Sequence, residues 1–175
     1  MRLKLKRTPG IYLVGFMGSG KSTVGRALAD EIGWSFVDLD IEIERRAELT
    51  IPEIFDQRGE PAFRDLEAAL LKQYVRSIEC GRPHVSSLGG GAFLSAPNVE
   101  LVLNNGVSLW LDCPLETIEQ RIAGSNHRPL ARDPVKMRNL YEVRREGYSR
   151  ADYRVEIRTD DPLVIVKQIL ELPLF

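Results

Sequence analysis

The stretch GFMGSGKS (residues 15–22) places Gly15, Gly20, Lys21 and Ser22 at the spacing G-x-x-x-x-G-K-[ST]. Glycines at such positions let backbone N–H groups turn inward around phosphate oxygens, and the dipole of a following helix adds to the attraction. Lys21 is then expected to reach the β- and γ-phosphates, and the Ser22 hydroxyl to ligate Mg²⁺. Gly18, Ser19 and Thr23 belong to the same loop. The motif sits between a compact apolar run and a helical pattern, as this chemistry requires, so it reads as a nucleoside triphosphate site rather than a glycine-rich turn with a solvated lysine.

Four further stretches could contribute chemistry. FVDLD (36–40) ends a short apolar run with Asp38 and Asp40. Read as a strand, residues two apart point to the same side and lie about 6–7 Å apart along the chain. Both acids would then face one cleft while serving different tasks. Glu60, Arg64 and Glu67 are spaced i, i+4, i+7 and share one helical face; a solvated salt-bridge row is the plain alternative. LGGGA (88–92) follows a strand at the carboxyl edge of the sheet, where α/β folds bind ligands. Its Gly89, Gly90 and Gly91 allow close approach of a ligand to the backbone, though a bare turn would also use them. Arg128, in NHRPL, lies inside an aperiodic stretch over about 125–135, a lid candidate whose arginine could close onto a transferring phosphate.

The elements needed to position these residues can be read from periodicity. IYLVG (11–15), SFVDLD (35–40), HVSSLGGG (84–91, running into glycines), GVSLWLD (106–112) and YRVEI (153–157) read as strands. KSTVGRALADEIG (21–33) places Val24, Leu28 and Ile32 at helical spacing and ends at Gly33. Further helices are expected over 59–75, with Pro61 in the first turn, and over 114–124, 137–151 and 162–172. Strands alternating with helices imply an α/β three-layer sandwich around a five-stranded parallel sheet. The 175 residues contain no repeat or Gly/Ser linker, which suggests one domain over 1–175, burying about 70% of its unfolded surface.

Composition excludes several classes. Lys plus Arg number 24 against 25 Asp plus Glu, a net charge of −1, which argues against a general nucleic-acid or membrane-surface role. No apolar run approaches the ~18 residues of a membrane span. The basic N-terminus lacks the separate hydrophobic core of a signal peptide, and residues 1–9 read as a solvated tail or short edge strand. Cys80 and Cys113 form no CxxC pair; both are expected to be buried apolar residues in a reduced, cytoplasmic setting. A guanine-reading N-K-x-D motif is absent. Asp112 is followed by Cys113 rather than glutamate, so it reads as a strand-end acid and not as half of an ATPase Asp-Glu pair. A small-molecule kinase remains.

In combination, GFMGSGKSTVGRALA, FVDLD, IFDQRGEPAFRDLE, VSSLGGGAF and NHRPL, in this order, resemble the shikimate kinase family, within the nucleoside-monophosphate-kinase-like P-loop group. The resemblance covers roughly residues 10–172. It implies a mobile lid, Mg²⁺ with ATP as co-substrate, and phosphorylation of the 3-hydroxyl of shikimate by a monomeric enzyme. Residue by residue, it makes Asp38 the acid that orients the Mg²⁺ shell with Ser87 behind it, and Asp40 the partner of the acceptor hydroxyl. Arg64 would grip the substrate carboxylate, steered by Glu60 and Glu67, with Gly89, Gly90 and Gly91 lining the substrate. Arg128 would meet the phosphates, and adenine would stack between Arg121 and Pro162. The second carboxylate contact falls on Arg144, four residues before Tyr148, with Arg138 as the rival. Asp160 and Asp161 stand where relatives often carry basic or neutral residues. The alternatives are a related sugar-acid kinase, such as a gluconate kinase, and a silent nucleotide-binding module.

Overall fold

The computed structural model describes residues 10–123 and 133–174. The expected lid up to residue 132, with Arg128, and the N-terminal residues 1–9 lie outside them. Five parallel strands form one sheet in the order β2-β3-β1-β4-β5: β1 Gly10–Val14, β2 Ser35–Asp38, β3 His84–Ser87, β4 Gly106–Asp112 and β5 Tyr153–Glu156. All five residues of β1 are buried. Such an apolar run suits a central strand covered on both faces, which is where the topology places it. The chain leaves β1 for β2 and β3 on one side and for β4 and β5 on the other. The switch point therefore lies at the carboxyl end of β1, where the glycine loop begins.

The helices are α1 Lys21–Ile32, α2 Leu39–Ala47, α3 Ile51–Glu79, α4 Ala96–Asn105, α5 Leu115–Ile122, α6 Pro134–Tyr148 and α7 Pro162–Leu170. The buried Val24 and Leu28 of α1 are one turn apart, and the helix stops at Gly33, whose left-handed backbone lets its N–H bond back to the carbonyls of Ala29 and Asp30. Among the described residues, no helix is long and apolar enough to cross a membrane.

Four expectations need correction. The second strand ends at Asp38, not Asp40. The Asp38 carboxylate accepts from the N–H groups of Asp40 (3.2 Å) and Ile41 (3.4 Å), so it caps α2 and turns the strand directly into a helix. Leu39, Ile43 and Ala47 form the buried stripe of that helix. Helix α6 starts at Pro134, capped by the Asp133 carboxylate at 3.0 Å from the Lys136 N–H, so the last residues of the expected lid are already helical. Cys113 is buried, but Cys80 is exposed at the end of α3. The helix expected from residue 59 is the second part of α3. A first part over 51–58 joins it at a kink where Gly59 adopts φ 81°, ψ 169°. That first part is held by a capping box in which Thr50 and Glu53 bond each other's backbone N–H.

Candidate active site

The carboxyl ends of β1, β2 and β3 open into a cleft of about 1230 Å³. This exceeds the roughly 300–1,000 Å³ usual for one small ligand, and it leaves room for two. One end is the glycine loop. Gly20 holds a left-handed conformation (φ 96°) immediately before α1, and no acid occupies the first turn of that helix, so its positive end faces the cleft. Lys21 Nζ donates to the carbonyls of Gly15 (2.9 Å) and Phe16 (3.0 Å), which holds it across the loop. Gly18, Ser19 and Thr23 line the same end. The Ser19 hydroxyl is buried without a hydrogen-bond partner among the described residues. The Ser22 hydroxyl donates to the Asp38 carboxylate, and strand register sets Ser87 opposite Asp38.

The far wall of this end comes from α5 and the β5–α7 connection. Arg121 donates from Nη1 to the Gly18 carbonyl (2.9 Å), and from Nε and Nη2 to Asp160 Oδ1 (3.0 and 2.5 Å). Pro162 opens α7 and lines the cleft beside Arg121. Asp160 and Asp161 are thus both engaged. Asp160 neutralises Arg121, and Asp161 caps α7 by accepting from the Leu163 N–H at 2.9 Å.

The other end is built around the glycine triplet. A methyl group added at Gly89 would lie 2.6 Å from Asp40 Oδ1, at Gly90 2.8 Å from Arg144 Nη1, and at Gly91 2.6 Å from Arg64 Nη2. Each glycine therefore leaves space for one charged tip. Arg64 is gripped from both sides on its own helix, by Glu60 at 3.2 Å and Glu67 at 2.9 Å. Glu67 is only 1% exposed and its second oxygen has no hydrogen-bond partner among the described residues; burial pushes its carboxyl above the usual range despite the neighbouring Arg64. Asp40 sits in the first turn of α2. Burial raises its proton affinity, Lys21 and Arg64 oppose the rise, and Asp38 and Glu44 reinforce it.

Arg144 and Arg138 are separated by the geometry of α6, on which residues six apart are turned by about 240°. Arg144 lines the cleft, with its guanidinium 5.6 Å from the Phe16 ring centroid. Arg138 lines a different depression of about 390 Å³ around Asp112. Asp112 is itself buried and paired with Arg145 and Arg154, both at 2.6 Å, as a structural charge cluster outside the cleft. Sequence reasoning missed the buried Phe16, whose ring lies beneath the Arg144 guanidinium, and also Ile51 and Phe55 from the first part of α3, which add apolar wall to the cleft. The i, i+4 spacing of Ile51 and Phe55 was the available signal.

A parallel sheet with a phosphate-binding glycine loop at its switch point, and a second charged pocket across the same cleft, defines a P-loop phosphotransferase acting on a small molecule. The family model for shikimate kinase matches residues 17–173. The shikimate kinase of Persephonella marina is 43% identical over 91% of this chain and 96% of its own. Among solved structures, shikimate kinase from Acinetobacter baumannii in complex with shikimate superposes with a TM-score of 0.85 at 38% identity, covering 94% of this chain and 92% of that one. An unliganded sugar kinase from Janibacter shares the fold, with a TM-score of 0.65, at only 17% identity over 93% of this chain and 92% of that one. The chain belongs to the shikimate kinase family.

Proposed function

We propose that this protein transfers the γ-phosphoryl group of ATP to the 3-hydroxyl of shikimate. The observation that carries the substrate assignment is the triplet Gly89–Gly91, which brings Asp40, Arg144 and Arg64 to one wall of the cleft opposite the glycine loop. Two guanidinium groups suit the planar carboxylate of a monoanion, and a carboxylate beside them suits a hydroxyl. In the reaction the hydroxyl oxygen forms a bond to the γ-phosphorus while the bond to the β,γ-bridging oxygen breaks, releasing ADP. The hydroxyl proton passes to Asp40, whose burial raises its proton affinity toward the range a general base needs. Lys21 neutralises the phosphates, with Arg128 from the lid segment, and the base of ATP stacks between Arg121 and Pro162.

The oxygen-only pair of Ser22 and Asp38 fits Mg²⁺. Among the described residues no group of three His, Cys, Asp or Glu side chains could cage a metal, and Mg²⁺ characteristically takes one or two protein oxygens and leaves its other positions to phosphate and water. When bound there it would screen the charge of the transferring group. The unpaired thiols of Cys80 and Cys113 favour a reducing, cytoplasmic compartment.

ADP release measured across shikimate, quinate and gluconate tests the assignment. Mg²⁺-dependent turnover with shikimate and little with gluconate is expected. Equal turnover of gluconate would instead favour a sugar-acid kinase, and no ADP release with any acceptor would favour a silent module. The two arginines of α6 make a second test. Arg144→Ala should raise the shikimate KM roughly 10- to 150-fold through loss of a charge-assisted contact, whereas Arg138→Ala should leave it unchanged. If Arg138→Ala is the worse variant, the assignment of Arg144 is wrong.

A further inference from the structure

Tyr148, the last residue of α6, is 1% exposed, and its hydroxyl lies behind Gly90, which lines the cleft. It donates to the Gly90 carbonyl at 2.5 Å. The same hydroxyl interacts with the Arg144 guanidinium. Both groups converge on one point, since a methyl group at Gly90 would stand 2.8 Å from Arg144 Nη1 and 3.5 Å from the Tyr148 hydroxyl. The Arg144 Nε is buried and has no hydrogen-bond partner among the described residues. Beside the Phe16 ring and the charge of the Glu67 carboxylate, the tyrosine hydroxyl is a polar neighbour of this guanidinium. The ring of Tyr148 is fixed independently by packing against Trp110, at 6.2 Å between centroids. Burial keeps the phenol protonated well above neutral pH, so it remains a donor to Gly90.

We infer that Tyr148 is a positioning residue: its one hydroxyl fastens the Arg144 guanidinium to the Gly90 backbone and so sets the carboxylate-binding geometry before a substrate carboxylate arrives. The hydroxyl has one proton and two lone pairs, so it donates to the carbonyl and still accepts from the guanidinium. An arginine held in advance loses less side-chain freedom on binding, and preorganisation of this kind appears as affinity rather than as rate. The inference rests on the proposed carboxylate substrate for its kinetic consequence, but not for the restraint itself.

Tyr148→Phe removes a single oxygen and keeps the ring in its packing. Two readouts on wild type and variant decide the matter: steady-state kinetics with shikimate and ATP, and the ¹⁵N NMR signal of the Arg144 Nε–H in ligand-free protein. The shikimate KM should rise about five- to twenty-fold, with kcat and the ATP KM within about twofold. The Arg144 Nε–H signal should broaden and exchange faster with solvent. An unchanged signal overturns the inference, as does an unchanged shikimate KM or an equal rise in the ATP KM. A lowered melting temperature with both readouts unchanged would assign the hydroxyl a purely structural role and also overturns it. If wild type does not turn over shikimate, the functional reading fails, and the Arg144 signal alone then decides whether Tyr148 restrains that arginine.

Discussion

Asp40→Asn lowers kcat by about 10²- to 10⁴-fold and leaves MgATP binding intact. The magnitude is that of losing a general base aimed at the attacking hydroxyl. Asp40 lies against Gly89 at the glycine-triplet end of the cleft, whereas the Ser22 hydroxyl donates to Asp38. Asparagine keeps its size but not its capacity to take a proton. In wild type, burial and the nearby Asp38 and Glu44 raise the Asp40 carboxyl above its ordinary value. The active, ionised form is accordingly lost on acidification at a higher pH than for an exposed aspartate, and kcat/KM falls there. The variant should lack that acidic limb. Asp38→Asn makes the contrast. Its carboxylate touches Ser22 and caps α2, so the variant should need more Mg²⁺ and regain part of its rate when the metal is raised. Steady-state kinetics with a Mg²⁺ titration on both variants checks this. Equal losses with equal recovery by metal would refute the division of labour.

Arg64→Ala raises the shikimate KM by roughly 10- to 150-fold and also weakens the fold. The second effect comes from Glu67, a nearly fully buried carboxylate ion-paired with Arg64, whose other oxygen has no hydrogen-bond partner among the described residues. Removing the guanidinium takes away its hydrogen-bonded ion pair and leaves only the charge of Arg144 to oppose burial, at a cost of about 1–3 kcal/mol. The Glu67 carboxyl is raised even with Arg64 present. Between its ordinary and its raised pKa, the folded state binds the proton and the unfolded state does not. Stability therefore falls as pH rises through that window, and the deficit of the variant should be smaller in acid than at neutral pH. Thermal unfolding at both pH values measures this, and adding Glu67→Gln to Arg64→Ala should recover stability without recovering the KM. Recovery of both would mean that Arg64 serves only to neutralise Glu67.

The sheet was legible because its strands are apolar runs with little ambiguity. IYLVG and GVSLWLD correspond to buried central strands, β1 shifted by one residue and β4 with the expected bounds. The glycine loop was legible because its chemistry fixes residue type and spacing together. FVDLD misled for a physical reason. Val37–Asp38–Leu39–Asp40 alternates like a strand, but Asp38 is also a good helix cap, and cap plus the Leu39–Ile43–Ala47 stripe outweighed the alternation. The two acids still line one cleft, through a strand-to-helix turn rather than through a shared strand face. The helices α2 and α4 and the first part of α3 were missed because their apolar stripes are short and interrupted by charges or asparagines. The partnership of Asp160 with Arg121, 39 residues away, is a tertiary contact that no local spacing announces.

The most direct measurement is a ³¹P–¹H correlation spectrum of the product formed from ATP and shikimate. Coupling of the new phosphate ester to the proton on carbon 3, appearing only with Mg²⁺ and wild-type protein, is expected. A phosphate on another hydroxyl, or inorganic phosphate released without an ester, would contradict a cleft in which Asp40 selects the 3-hydroxyl while Arg64 and Arg144 hold the carboxylate.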